Sequence, residues 1–281
     1  MAKDISNLQN ILVTGNPGLV SIVIPCCGML DYTKLCVSSL LKHSRPPFEI
    51  IFLDIGSLDG TAEYLAGLQA GLSRRLAPIG IEYPGDRIRI EIVRTPTDQG
   101  IKEVCKKALD LTRGEYVLLL NNDTIVTPHW LEQLTALAAT TMGVGLVGPM
   151  SNYASPPQLV ETVPYRTSSN PRTSAVTSGA MAIIDVDAIE QFAEKVQTEF
   201  KGRFVNVDRL GGFCLLIKRV VLDKIGPKLN EWTDLGLFDS DILSVKAREA
   251  DYSLAVCRDL FIHHFGTRTF AHTAPRLENP T

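Results

Sequence analysis

No long apolar run, no excess of one charge, no cysteine pair at metal-ligand spacing and no internal repeat occurs in this chain of 281 residues. Each absence removes a class of protein. No segment approaches the ~20 apolar residues of a membrane-spanning helix, so no integral membrane segment is expected. The N-terminal MAKDISNLQN lacks the uninterrupted apolar stretch of a secretion signal. Basic residues number 28 against 31 acidic ones, a formal net of -3, which argues against a nucleic-acid partner. The six cysteines, Cys26, Cys27, Cys36, Cys105, Cys214 and Cys257, form no C-x-x-C pair. Most lie in apolar stretches, the pattern of buried free thiols in a reducing, cytoplasmic compartment rather than of a disulfide framework. No repeat period supports a solenoid. SIVIPCCGML also lacks the glycine fingerprint of a dinucleotide-dependent oxidoreductase.

What is present is a hydrophobic fraction of 45%, enough to fill the core of one large α/β domain. Four strand-then-helix units occupy the first half. SIVIP, FEIIFLD, IEIV and YVLLL read as short buried strands, and amphipathic spacing predicts helices after them. In the third helix Ile101, Val104, Cys105, Ala108 and Leu109 share one ridge. Thr127 with Pro128 is expected to start the next helix. The economical arrangement is a mostly parallel central sheet flanked by helices. In the second half, GVGLVGP, GGFCLLIKR and LAVCRDLFIHHFG read as strands, and the stretch from Ser151 onward as a long mobile loop. Asp187 and Glu190 suit a capping box, VVLDKIG a short helix closed by Gly226, and Ser240–Ala250 a final helix.

Ligands of open α/β sheets bind beyond the carboxyl ends of the strands. Pro25, Asp54 and the run Asn121-Asn122-Asp123 fall at three such ends. The last follows an apolar strand, and continued extension would project Asn121 and Asp123 to one side. There Asp123 can supply the charge for a hard divalent cation and Asn121 a neutral oxygen, which would make a diphosphate a better leaving group. The same three residues also suit a plain turn.

The ordered series SIVIPCCGMLDYTKLCVSSL, EIIFLDIGSLDGT, GEYVLLLNNDTIVTPHWLEQL, GGFCLLIKRVVLDKIG, FDSDILSVKAREADY and DLFIHHFG resembles glycosyltransferase family 2 over roughly 21–265. The resemblance implies the Rossmann-like GT-A fold that binds nucleotide-sugars, a nucleotide diphosphate-sugar donor with UDP favoured, Mg2+ or Mn2+, and inversion at the anomeric carbon. It covers a catalytic domain over 21–265; residues 1–20, ending in Gly15, Pro17 and Gly18, read as an N-terminal extension or edge element, and residues 266–281 as a tail placed to cover the site. Pro25 matches the motif whose backbone meets the base, and Asp54 the aspartate that reads it. Asn121-Asn122-Asp123 stands where the family has aspartate-x-aspartate, so Asp123 becomes the main metal or diphosphate contact. Cys26-Cys27-Gly28 departs from the usual threonine, tyrosine and asparagine, and Asp98 and Lys106 also replace frequent asparagines.

An inverting transfer needs a base for the acceptor hydroxyl. The resemblance supplies it from the cluster Asp239-Ser240-Asp241, with Asp241 placed first and Asp239 as the near alternative; either Asp239 or Ser240 also suits a helix cap. Adjacent His263 and His264 point to opposite faces of a regular strand, and the resemblance places His264 near the metal and diphosphate. Lys218, Arg219, Arg258 and Arg268 are further phosphate candidates, each better suited singly to surface solvation. Trp232 suits a platform for the acceptor, a saccharide, glycan or protein hydroxyl, whereas Trp130 suits helix packing. The competing class is a noncatalytic nucleotide-sugar-binding or protein-interaction module.

Overall fold

The computed structural model describes residues 15–45, 47–73, 88–95, 101–166, 184–226 and 239–266. The elements run β1 (Asn16–Cys26), α1 (Leu30–His43), β2 (Phe48–Ile55), α2 (Thr61–Ser73), β3 (Ile90–Thr95), α3 (Ile101–Leu111) and β4 (Gly114–Leu120). There follow β5 (Thr124–Ile125), α4 (Trp130–Thr140), β6 (Val144–Met150), α5 (Val186–Glu199), β7 (Phe204–Val207), β8 (Cys214–Lys218), α6 (Arg219–Ile225), α7 (Ser240–Glu249), β9 (Ser253–Phe261) and β10 (His263–His264).

Eight strands form one sheet in the order β3-β2-β1-β4-β8-β6-β9-β7. β8 runs antiparallel to both β4 and β6, and β7 antiparallel to β9; the other pairings are parallel. The expected mostly parallel sheet is therefore present. Its inner strands are apolar on both sides because helices cover both faces. In β1, Ile22 and Ile24 face a core with residues of α1, α2 and α4, while Val23 faces a second core with residues of α3, α5, α6 and α7. Trp130 packs fully buried, its indole N–H donating to Ser44 Oγ at 3.0 Å.

Several local expectations are corrected. The strand read as SIVIP begins earlier, at Asn16, which lies opposite Gly114. Thr127 does not cap α4: its hydroxyl donates to the Phe261 carbonyl at 2.6 Å, and the helix starts at Trp130 after His129 at φ 65. Asp185, not Asp187, caps α5 by accepting from Ala188 N at 2.9 Å. Glu190 is drawn away to Lys42 and His43 on α1, so it cannot reach back along its own helix. Gly226 does close α6 as expected, in right-handed conformation at φ -59. Residues 151–160 are not an open loop, since Ser151 bridges Leu159 and exchanges backbone bonds with Gln158 and Val160.

The six cysteines are free and buried, as read from the sequence. Burial pushes the Cys36 thiol up to about 12 and also raises Cys26, Cys27, Cys214 and Cys257. The thiolate is the reactive form, and an ordinary thiol ionises near ~8.5. Titration with a disulfide reagent at mildly alkaline pH should therefore label Cys36 and Cys214 only after unfolding. Rapid labelling of either in the native protein would contradict this packing.

No helix among the described residues is long and apolar enough to cross a membrane.

Candidate active site

Parallel register brings the ends of β1 and β2 together, with Pro25 opposite Leu53 and Cys26 opposite Asp54. The loops beyond them are stapled to each other. Gly28 N donates to Ser57 Oγ at 2.8 Å, and Leu30 N to Asp59 Oδ2 at 2.9 Å. Asp59 also accepts from Thr61 N and Oγ1, which seats the start of α2. Asn122, beyond β4, joins the same assembly by donating to Thr33 Oγ1 at 2.9 Å and to the Gly28 carbonyl at 3.4 Å. Three strand ends thus form one braced floor.

Asp54 is fully buried within that floor. Its Oδ1 accepts from Ser57 N at 3.1 Å. Arg94 Nε, opposite it on β3, lies 3.2 Å from Oδ2. That contact is an ion pair out of hydrogen-bond alignment, so Oδ2 is buried without accepting a hydrogen bond. A buried carboxylate oxygen left in this state is costly. An N–H brought by a ligand would satisfy it.

The tip of β4 differs from the extended geometry expected of it. The strand ends at Leu120, and residues 121–123 turn, because Thr124 Oγ1 donates back to the Asn121 carbonyl at 2.8 Å. Asn121 N is meanwhile held by the Phe213 carbonyl at 2.8 Å. Asn122 is directed inward as a brace, and Asn121 stays half-buried. Asp123 is buried and faces β10, which pairs antiparallel with β5, His264 opposite Thr124. His264 Nε2 lies 3.4 Å from Asp123 Oδ1. The opposite ring nitrogen, Nδ1, is 2.9 Å from the Tyr153 carbonyl, which can only accept, so Nδ1 carries a proton. In the neutral ring Nε2 is then a bare lone pair, and it makes no hydrogen bond. Two electron-rich atoms facing at this distance need a cation between them, a proton or a metal ion. Phe213 stacks on the imidazole, centroids 5.0 Å apart at 15°, and fixes its plane.

His263 turns the other way, as strand alternation requires. Its Nδ1 meets Tyr165 Oη at 3.0 Å, and Phe265 packs edge-on at 4.5 Å. Burial, followed by the neighbouring His264 charge, lowers His263 to about 4, so it stays neutral near pH 7. Among the described residues no group of three or more His, Cys, Asp or Glu could hold a metal. Asp123 and His264 offer two ligands, and a hard cation would complete its shell with diphosphate oxygens and water.

The acidic cluster at α7 splits. Asp239 is the helix N-cap, its Oδ1 accepting from Ile242 N at 3.0 Å. Asp241 is exposed and pairs with Arg209 Nε at 2.6 Å. The segment from Arg209 to Phe213 then leads directly to the His264 ring, and Leu210 N donates to Ser244 Oγ of α7 at 3.2 Å. Lys218 and Arg219 do not reach this region. They lie where β8 passes into α6, at the opposite end of the strands, where Arg219 donates to the Gly114 carbonyl and Thr112 Oγ1. Arg258 lies over the Phe200 ring at 5.6 Å. Trp232 and Arg268 fall outside the described residues.

Sequence reasoning passed over Arg94, Asn152, Tyr153, Arg209 and Phe213. Asn152 and Tyr153 directly follow the carboxyl end of β6, so the strand-end rule that flagged Asp123 reaches them too.

A family model described as Glycosyl transferase family 2 matches residues 21–192. Among known proteins, y4gI of Sinorhizobium fredii (strain NBRC 101917 / NGR234) is 28% identical over 250 residues, 85% of this chain and 23% of its own length. Two solved structures share the fold. One is S. aureus TarS 1-349 in complex with UDP-GlcNAc, at TM-score 0.53 and 14% identity, covering 87% of this chain and 57% of that one. The other is the mannosyltransferase PcManGT from Pyrobaculum calidifontis in complex with GDP-Man and Mn2+, at TM-score 0.54 and 14% identity, covering 87% of this chain and 56% of that one. The match thus spans less than two thirds of each of these relatives.

Proposed function

This chain belongs to glycosyl transferase family 2, and from that premise we propose that it is a metal-dependent inverting glycosyltransferase. It moves a sugar from a nucleotide diphosphate-sugar, uridine-linked, to a hydroxyl of a saccharide, glycan or protein. The observation that carries the reading is the bare His264 Nε2 facing Asp123 Oδ1 at 3.4 Å. We assign the cation between them as Mg2+ or Mn2+. When bound it would neutralise charge on the departing diphosphate. Asp123 and His264 would hold it, with Asn121, in the same turn as Asp123, proposed as a neutral oxygen ligand. The six buried thiols support a reducing, cytoplasmic setting.

Asp54 argues for uracil. Ser57 N already occupies Oδ1, which leaves Oδ2 alone to take a base N–H. Uracil presents a single ring N–H flanked by carbonyls, and the Arg94 guanidinium beside Oδ2 supplies a donor for one of them. Guanine presents two adjacent donors and needs both carboxylate oxygens. Pro25 and the backbone after it border the same place. In a competition assay UDP should displace a labelled donor more readily than GDP. A hydrogen bond to a charged acceptor contributes about 1.5–3 kcal/mol, so Asp54→Asn should weaken UDP by roughly 10- to 100-fold. Preference for GDP in the unaltered protein would overturn the uracil assignment and leave the transferase reading standing.

For the proton, Asp241 is the proposed base and Asp239 the alternative. Asp241 is exposed to an incoming acceptor, and Arg209 orients its carboxylate. Asp239 spends one oxygen on the helix cap. Trp232 is proposed on the acceptor side.

A further inference from the structure

We infer that Asn152 is a positioning residue that sets the metal-binding nitrogen of His264. The inference rests on the metal reading above. It goes beyond the ligand pair to the group that aims it.

Asn152 clasps the backbone of His264 from both sides. Its Oδ1 accepts from His264 N at 3.0 Å, and its Nδ2 donates to the His264 carbonyl at 3.0 Å. A primary amide used in this way imitates a neighbouring β-strand. β10 has only two residues and a single strand partner, β5. The clasp supplies the pairing on its other side. Tyr153, next in the chain, then presents its carbonyl to His264 Nδ1 at 2.9 Å. One dipeptide therefore fixes both the position of the backbone and the ring tautomer. Ligand histidines are oriented in this manner by a partner on the second nitrogen.

The dipeptide is itself held firmly. Ser151 N donates to the Gln158 carbonyl, and Tyr153 N to Ser151 Oγ. Gln158 is buried and ties the loop to the Pro149 carbonyl at 2.9 Å and to Gly211 N at 2.7 Å. Gly211 precedes Phe213, which stacks on the His264 ring. The Tyr153 ring also sits where a side chain at Gly266 would stand, 2.8 Å from a built Cβ. Gly266 has φ 79 and no side chain, so the ring can close over the exit of β10.

The test has two parts. In the metal-free protein, nitrogen NMR of the neutral ring should find the proton of His264 on Nδ1 and Nε2 bare. A neutral ring carrying its proton on Nε2 would overturn the inference with no variant needed. Calorimetric titration with the Mn2+ complex of UDP gives the second part. Loss of an outer partner of a metal ligand costs about 10–100-fold in metal affinity, and Asn152→Ala should lose that much and show mixed tautomers. Should Asn152→Ala fail to fold, Asn152→Asp keeps the acceptor for His264 N but sets an oxygen against the His264 carbonyl, and the same loss is expected. A purely structural Asn152 would lower the melting temperature of the variants and leave affinity and tautomer unchanged; that result refutes positioning. If the unaltered protein binds the complex no better than Asp123→Ala, the metal reading fails, and the tautomer measurement still decides the role of Asn152.

Discussion

Asp123→Ala should remove metal-dependent donor binding and lower turnover about 100- to 1000-fold, the several kcal/mol that charge neutralisation at a leaving group provides. The fold should survive. The Asp123 carbonyl still accepts from Phe265 N at 2.9 Å, so the backbone junction between β5 and β10 does not depend on the side chain. Circular dichroism and a melting curve should match the parent, while titration with Mn2+ and UDP should show no coupled binding. Undiminished metal-dependent turnover in this variant would defeat the assignment of Asp123.

Asp241→Asn should depress turnover by about 10²–10⁴-fold, the range of general-base catalysis, with donor affinity almost unchanged. The amide keeps the shape of the carboxylate but cannot take the acceptor proton. It also loosens the 2.6 Å pair with Arg209, and since that pair is exposed on both sides its loss is worth little in stability. Arg209→Ala separates the two effects: freeing Asp241 without removing its charge should leave most activity in place. If Asp239→Asn is inactive and Asp241→Asn is not, the alternate alignment is right, and a companion Asp239→Ser variant, which restores a cap, would show whether the helix end alone was at fault. Full activity in both Asp→Asn variants would mean that the base lies elsewhere. Retained anomeric configuration in the product would exclude the single displacement itself.

What was legible beforehand divides along physical lines. Strands such as FEIIFLDI, buried at every position, announce themselves because coverage on both faces removes polar residues from them. The direction of β8 could not be read, since a continuous apolar run carries no sign of whether its neighbours run with or against it. β7 was invisible for the opposite reason: FVNV lies at the sheet edge with three of its four residues exposed, and no alternation marks it. At the candidate site, Asp54 and Asp123 were singled out by their strand ends and His264 by the family resemblance. Their partners were not. Arg94, Asn152 and Phe213 act through contacts spanning long stretches of sequence, and nothing within their own segments distinguishes them from surface or core residues. The capping errors share one cause, because Thr127 and Glu190 suited a local role and were recruited by distant partners, the Phe261 carbonyl and the Lys42–His43 pair.

The pairing of β10 with β5 also bears on the order in which the molecule becomes complete. Asp123 belongs to the first half of the chain and His264 to the end of the last long strand, so the two meet only after β9 has aligned along β6. A folding intermediate holding β3-β2-β1-β4 alone would possess Asp54 and half of the proposed cation site. Pairings between segments so distant in sequence form late, because closing long loops is slow. Metal with nucleotide would then recognise only the finished sheet. A ligand selective for the native state adds about 2.7 kcal/mol of stability when present at a hundred times its Kd, and here that increment would fall on the seam joining the two halves, making the donor complex a lock on the final step of assembly.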